Sequence, residues 1–147
     1  MSVVVREATL EEVVKLSMSI DEFPSPPGLN EYEKRLAGVR NILLIAEVNG
    51  APGGFKVGYD RHLDGEVFYS WMGGVRKEYR RLGLASLLLE KMEFWCLEAG
   101  FTRLQFKTRN SHSKMISFAY SRGFWLIDFQ KKDKVEDSRL LFEKELR

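Results

Sequence analysis

Trp71-Met72-Gly73-Gly74-Val75-Arg76-Lys77-Glu78-Tyr79-Arg80-Arg81-Leu82-Gly83-Leu84-Ala85-Ser86 joins an apolar strand to a long helix through a basic turn. Upstream, Glu66 to Met72 is apolar on both faces, with Val67, Tyr69 and Trp71 on one side and Phe68 and Met72 on the other. A strand buried on both faces sits inside its sheet. Downstream, Leu84, Leu87, Leu88, Met92, Trp95 and Ala99 recur at helical spacing until Gly100 ends the helix. A helix start carries unpaired N–H groups and partial positive charge, so it attracts anions. Gly83 lets a ligand approach the backbone, and the small Ala85 keeps the next turn open. Arg76, Lys77, Arg80 and Arg81 add charge at the same point. The physical reading is a pyrophosphate cradle. Neither the P-loop pattern nor the dinucleotide Gly-x-Gly-x-x-Gly pattern occurs here.

The elements on either side predict a mixed α/β chain. Val3 to Glu7 reads as a strand, and Thr9 with Glu12 as the capping box of a helix running to about Ile20. Phe23 to Gly28 is a Pro-rich loop, and Asn30 is expected to cap a short helix through Leu36. Strands follow over Asn41 to Val48 and Gly54 to Tyr59, joined by the hairpin signal Asn49-Gly50. After the long helix come a strand from Thr102 to Thr108 and a helix from Ser111 to Arg122. Two closing strands, Phe124 to Phe129 and Arg139 to Glu145, flank a charged turn. The order is β-α-α-β-β-β-α-β-α-β-β, with an antiparallel first half.

The 147 residues are enough for one domain, 1–147, with its own core. Basic and acidic residues number 23 and 21, a balance that argues against nucleic acid as partner. No apolar run approaches the roughly 18 residues of a membrane span, and charges arrive early, so a cytoplasmic protein is expected. His62 and His112 are isolated and lack metal-ligand spacing, so no metal is expected and both read as surface residues. The one cysteine, Cys96, lies in the long helix and reads as a core or surface thiol.

Arg80-Arg81-Leu82-Gly83-Leu84-Ala85 resembles the Arg/Gln-x-x-Gly-x-Gly/Ala signature of the GNAT acyltransferases. Gly73-Gly74-Val75 and Tyr79 are similar to that family's strand end and turn, and Asn110, Met115 and Gly123-Phe124 to its second motif. The element order agrees across nearly the whole chain. The resemblance implies an N-acetyltransferase using acetyl-CoA as co-substrate. The backbone of Arg81, Leu82, Gly83, Leu84, Ala85 and Ser86, with the Arg80 and Arg81 side chains, would hold the pyrophosphate. Gly73 and Val75 would pair with the pantetheine arm, and Asn110 and Ser113 would touch its far side. A bulge at Gly73 and Gly74 would splay the central strand from the next one and open a slot for the thioester. A small-molecule or peptide amine would attack directly, with a strand N–H stabilising the oxyanion.

Glu66 is the first candidate base, with Glu22 or a water chain as alternatives. The acid expected four residues before the Gly of Gly-Phe is Ala119 here. Tyr120, one residue and about 100° further round the helix, is the candidate in its place. Some of the aromatics Phe23, Tyr32, Tyr59, Phe68, Tyr69 and Trp71 could line an acceptor pocket. The closing hairpin is a possible homodimer surface. A non-catalytic acyl-CoA sensor of the same fold is the competing reading.

Overall fold

The structure is a computed structural model that describes every residue except Asp21, Glu22 and Pro24. Glu22, the second candidate base, therefore lies outside the described residues. The described residues form seven strands in one sheet: β1 Val3–Glu7, β2 Asn41–Val48, β3 Ala51–Tyr59, β4 Val67–Val75, β5 Arg103–Arg109, β6 Trp125–Gln130 and β7 Arg139–Glu145. Their spatial order is β1-β2-β3-β4-β5-β7-β6. Every neighbouring pair is antiparallel except β4 with β5, which is parallel. The helices are α1 Leu10–Met18, α2 Leu29–Leu36, α3 Leu84–Glu98 and α4 Ser113–Ser121. None of them is long and apolar enough to cross a membrane.

The strand alternation builds two cores. On the front face, α1 and α2 bury Val13, Leu16, Tyr32 and Leu36 against Ile45, Phe55, Val57 and Tyr59. On the back, α3 and α4 bury Leu84, Leu88, Met92 and Ala119 against Ile42, Leu44, Phe68, Leu104 and Phe142. The α3 stripe is turned slightly from the sequence expectation, with Leu89 and Cys96 buried and Leu87 exposed. Local signals set the helix starts. Thr9 Oγ1 accepts the Glu12 N–H at 3.2 Å, and Glu12 Oε1 accepts the Thr9 N–H at 3.0 Å, closing the predicted capping box. Helix α2 starts earlier than expected: Gly28, not Asn30, is its N-cap, and the Gly28 carbonyl accepts the N–H groups of Glu31 and Tyr32.

The bulge that shapes β4 lies two residues before the expected glycines. Val57 pairs with Met72 and Gly58 with Ser70, so Trp71 is the extra residue. One extra residue switches the strand's alternation downstream. Met72 therefore joins Trp71 on the front face, where the Tyr32 hydroxyl donates to Met72 Sδ at 3.5 Å. The sequence pattern had assigned these two side chains to opposite faces. At the far edge, β6 is exposed along its whole length, including Trp125, Ile127 and Phe129.

Candidate active site

Strands β4 and β5 are bonded only where they start, Val67 to Tyr69 against Arg103 to Gln105. Beyond Tyr69 they diverge, and the gap is a cavity of about 400 Å³ lined from both faces of the sheet. Gly73, Val75, Phe106 and Thr108 line it from the strands, and Ala85, Leu88 and Phe118 from the helices behind. Phe23 lines it in front, its ring edge-on to Phe55 at 6.1 Å. A Cβ on Gly74 would sit 2.9 Å from Phe23 Cε2, so glycine there makes room for the ring beside β4.

The basic turn leads from this gap to α3. A 3-10 turn at Lys77–Tyr79 is followed by two left-handed residues, Arg81 at φ 66° and Gly83 at φ 78°. Alternating conformations of this kind turn successive N–H groups toward one concavity. Gly83 caps α3 without any side-chain hydrogen bond, and the first turn contains no acidic residue. Among the described residues, the helix start thus keeps unanswered N–H groups and an uncompensated positive end. A Cβ on Gly83 would meet nothing within 4 Å, so the space before the helix is open. The Arg80 Nε donates back to the Val75 carbonyl at 3.2 Å and pins the turn to the end of β4. Arg122 reaches from the end of α4 to Ser86 Oγ at 2.6 Å.

Comparison with known proteins agrees with this geometry. Residues 10–124 match the Acetyltransferase (GNAT) family. The chain belongs to that family. It is 27% identical over 145 residues to an acetyltransferase of Yersinia enterocolitica, covering 97% of this chain and 96% of that protein. The ribosomal-protein-S18-alanine N-acetyltransferase of Escherichia coli superposes with a TM-score of 0.83 at 15% identity, over 99% of this chain and 94% of that one. A GNAT family acetyltransferase of Elizabethkingia anophelis, solved with acetyl-CoA bound, superposes with a TM-score of 0.78 at 17% identity, over 98% of each chain. The two solved structures speak for the fold.

Within this GNAT domain, Gly73, Val75 and Ala85 of the expected cofactor-side residues line the cavity, and Asn110 and Ser113 are not among its lining residues. Arg81 to Ser86 form the turn and helix start beside it. Asn110 faces the closing hairpin: its N–H donates to the Ser138 carbonyl at 2.8 Å and its Nδ2 to the Val135 carbonyl at 3.2 Å. Ser113 opens α4. Its neighbour His112 lines the cavity, with Nδ1 3.2 Å from Thr108 Oγ1. The sequence marked His112 only as a surface residue. It is exposed, but the turn from β5 into α4 also brings it to the gap.

The two candidate proton carriers lie elsewhere. Glu66 precedes β4 at the bonded end, where its carboxylate is exposed and 3.9 Å from Arg103. It lies seven positions before Gly73, roughly 20 Å at strand rise. Tyr120 packs edge-on against Phe142 at 5.5 Å and Trp125 at 6.4 Å, while Ala119 takes the inward position. Neither is among the residues lining the cavity. Cys96 is fully buried, and burial pushes its thiol up to about 12, which removes it as a nucleophile.

Lys56 is the group that the sequence reading missed. It pairs with Gly73 across β3 and β4 and lines the cavity. Its Nζ is 3.8 Å from where a Cβ on Gly73 would sit. Burial pushes its ammonium down to about 8, against a smaller opposing pull from Glu93. A signal was present: period-two alternation puts Lys56 on the same face as Gly54 and Gly58, the face that α3 covers. On the front side, Trp71 contacts Tyr32 at 4.9 Å and Tyr59 at 6.0 Å, and the Arg35 guanidinium lies 4.2 Å over its ring.

Proposed function

We propose that the protein transfers the acetyl group of acetyl-CoA to a primary amine by direct attack. The observation that carries this reading is that an uncapped helix start and a splayed strand pair open onto one cavity. The acetyl-CoA bound to the Elizabethkingia anophelis relative supports the co-substrate, and the alanine N-acetyltransferase named above supports a nitrogen acceptor. The backbone of Arg81 to Ser86 and the Arg81 side chain would hold the pyrophosphate, with Arg80 acting mainly as a brace for the turn. Gly73 and Val75 would pair with the pantetheine arm, and Asn110 and Ser113 would flank it.

The neutral amine attacks the thioester carbonyl, a C–N bond forms, and the C–S bond breaks. A free β4 N–H beyond the bulge stabilises the oxyanion. In place of Tyr120, the Lys56 ammonium protonates the departing thiolate. Its acidity lies close to that of a thiol, about 8.5, so the transfer is nearly balanced. The amine proton leaves through water at the open front of the cavity.

One observation favours a second reading, an acyl-CoA sensor: Glu66 and Tyr120 lie away from the cavity. Thermal unfolding with acetyl-CoA and thiol release on addition of amines separate the two. Stabilisation by acetyl-CoA with amine-dependent thiol release and an N-acetyl product supports transfer. Stabilisation without thiol release on any amine leaves the sensor. No stabilisation at millimolar acetyl-CoA overturns both.

A further inference from the structure

The front face of the sheet carries more positive charge than its carboxylates neutralise. Helices α1 and α2 pack over β2, β3 and β4, while β5, β7 and β6 extend beyond them. Alternation along β5 puts Leu104, Phe106 and Thr108 on the back and Arg103, Lys107 and Arg109 on the front. Directly paired residues share a face, so Arg139 stands opposite Arg109 and Leu141 opposite Lys107. Like charges directly opposite destabilise a sheet.

Two acids of this face lie at its far end. Glu66 and Glu143 are 3.9 and 3.7 Å from Arg103, and Gln105 donates to Glu143 at 2.8 Å. At the splayed end, a cleft of about 320 Å³ lies beside the cavity, and Lys107 lines both. Arg139 lines the cleft, and among the described residues Asp128 is the one acid in its wall. From the β3–β4 connection, Arg61 lies 4.8 Å over the Tyr69 ring. Burial, then Arg61 and Arg139, push the Lys107 ammonium down, and the pull of Asp128 does not reverse this. Burial pushes the Tyr69 hydroxyl up, and Arg61, Arg139 and Arg35 pull it the other way. Arg35 is bound to Glu31 at 2.8 Å, and Asp60 accepts the Gly65 N–H. Among the described residues, no carboxylate forms an ion pair with Arg61, Lys107 or Arg139.

We propose that Arg61, Lys107 and Arg139 bind a carboxylate on the acceptor, so that the substrate is a primary amine bearing an acidic group. This rests on the transferase reading above. Clustered cations beside an apolar cavity attract and orient an anion, and a charge-assisted hydrogen bond strengthens as water is excluded. The same chemistry could come from a small amino acid or from an acidic side chain in a peptide. The distance from the cleft to the cavity is what selects the amine.

The test compares each acid with its own amide as acceptor: alanine with alaninamide, β-alanine with its amide, and γ-aminobutyrate with its amide. Glutamyl and glutaminyl dipeptide amides form the peptide arm, and putrescine is the cationic control. Thiol release from acetyl-CoA should favour the acids by about tenfold or more in kcat/KM, the value of one good charged contact. R61Q, K107M and R139Q should each remove most of that preference, and R147Q should not. Preference within the small acids or within the peptides identifies the source. In parallel, calorimetry with N-acetyl-β-alanine and its amide reads the carboxylate without turnover. Acid-selective binding lost in R139Q, with no thiol release, retains the site and discards the transferase reading. Turnover or binding indifferent to the carboxylate, a preference that survives all three substitutions, or neither turnover nor acid-selective binding overturns the proposal.

Discussion

Replacing Lys56 by Met should make the protein more stable and slower. The ordinary lysine value of 10.5 falls to about 8 in the fold. At about 1.4 kcal/mol per decade this is about 3 kcal/mol held against folding when the group is charged. The side chain is half-buried, and water at the cavity mouth relieves part of the cost, so a net figure of about 1.5 kcal/mol is expected. Between the folded and unfolded values the unfolded chain binds more protons, so stability rises with pH there. The cost is therefore fully present below about pH 8 and is lost toward pH 10.5, with about a quarter remaining at pH 10. Met has nearly the same length and no charge. Thermal unfolding at pH 7 should show Lys56→Met melting roughly 3 to 6 °C above wild type, and the gap should shrink to about 1 °C at pH 10. Thiol release with the best acceptor should fall about tenfold or more, because the thiolate then leaves without its proton. A slower enzyme that is also more stable cannot owe its loss to unfolding. A variant that melts at or below wild type at pH 7, or a gain that does not shrink with pH, refutes the reasoning.

Gly83→Asp should weaken acetyl-CoA binding by roughly a hundredfold in calorimetry, since it combines a left-handed backbone with negative charge at a positive helix end. Gly83→Ala meets open space, so it should cost about 1 kcal/mol of stability from backbone strain and leave that binding within tenfold. Gly58→Ala puts a Cβ 2.4 Å from Phe68 Cε2 and 2.9 Å from the Tyr69 carbonyl oxygen. This overpacking should lower stability by about 1–3 kcal/mol in urea titration, and an unchanged midpoint would contradict the packing. Cys96 should stay unlabelled by a thiol reagent in the native protein and react on unfolding; native labelling would contradict a buried thiol held near 12.

What was legible in the sequence was local. The Thr9–Glu12 box, the Pro-rich break and the helix stripe from Leu84 each follow from contacts within a few residues. The cradle was legible for the same reason: Gly83, the basic turn and the small Ala85 act on one stretch of backbone. What the tertiary structure decided depends on register between strands far apart in sequence. The extra residue at Trp71 moved Met72 to the front face and put the divergence from β5 just beyond Tyr69. That divergence left Glu66 at the closed end and brought Lys56 and His112 to the open one. Tyr120 turned toward Phe142 because Ala119 took the inward position. Composition gave a nearly balanced chain, yet pairing Arg103 with Glu66 and Glu143 left Lys107 and Arg139 together at the splayed end. Local conformation answers to nearest neighbours along the chain, whereas a site assembled across a sheet answers to which residues the strand register sets side by side.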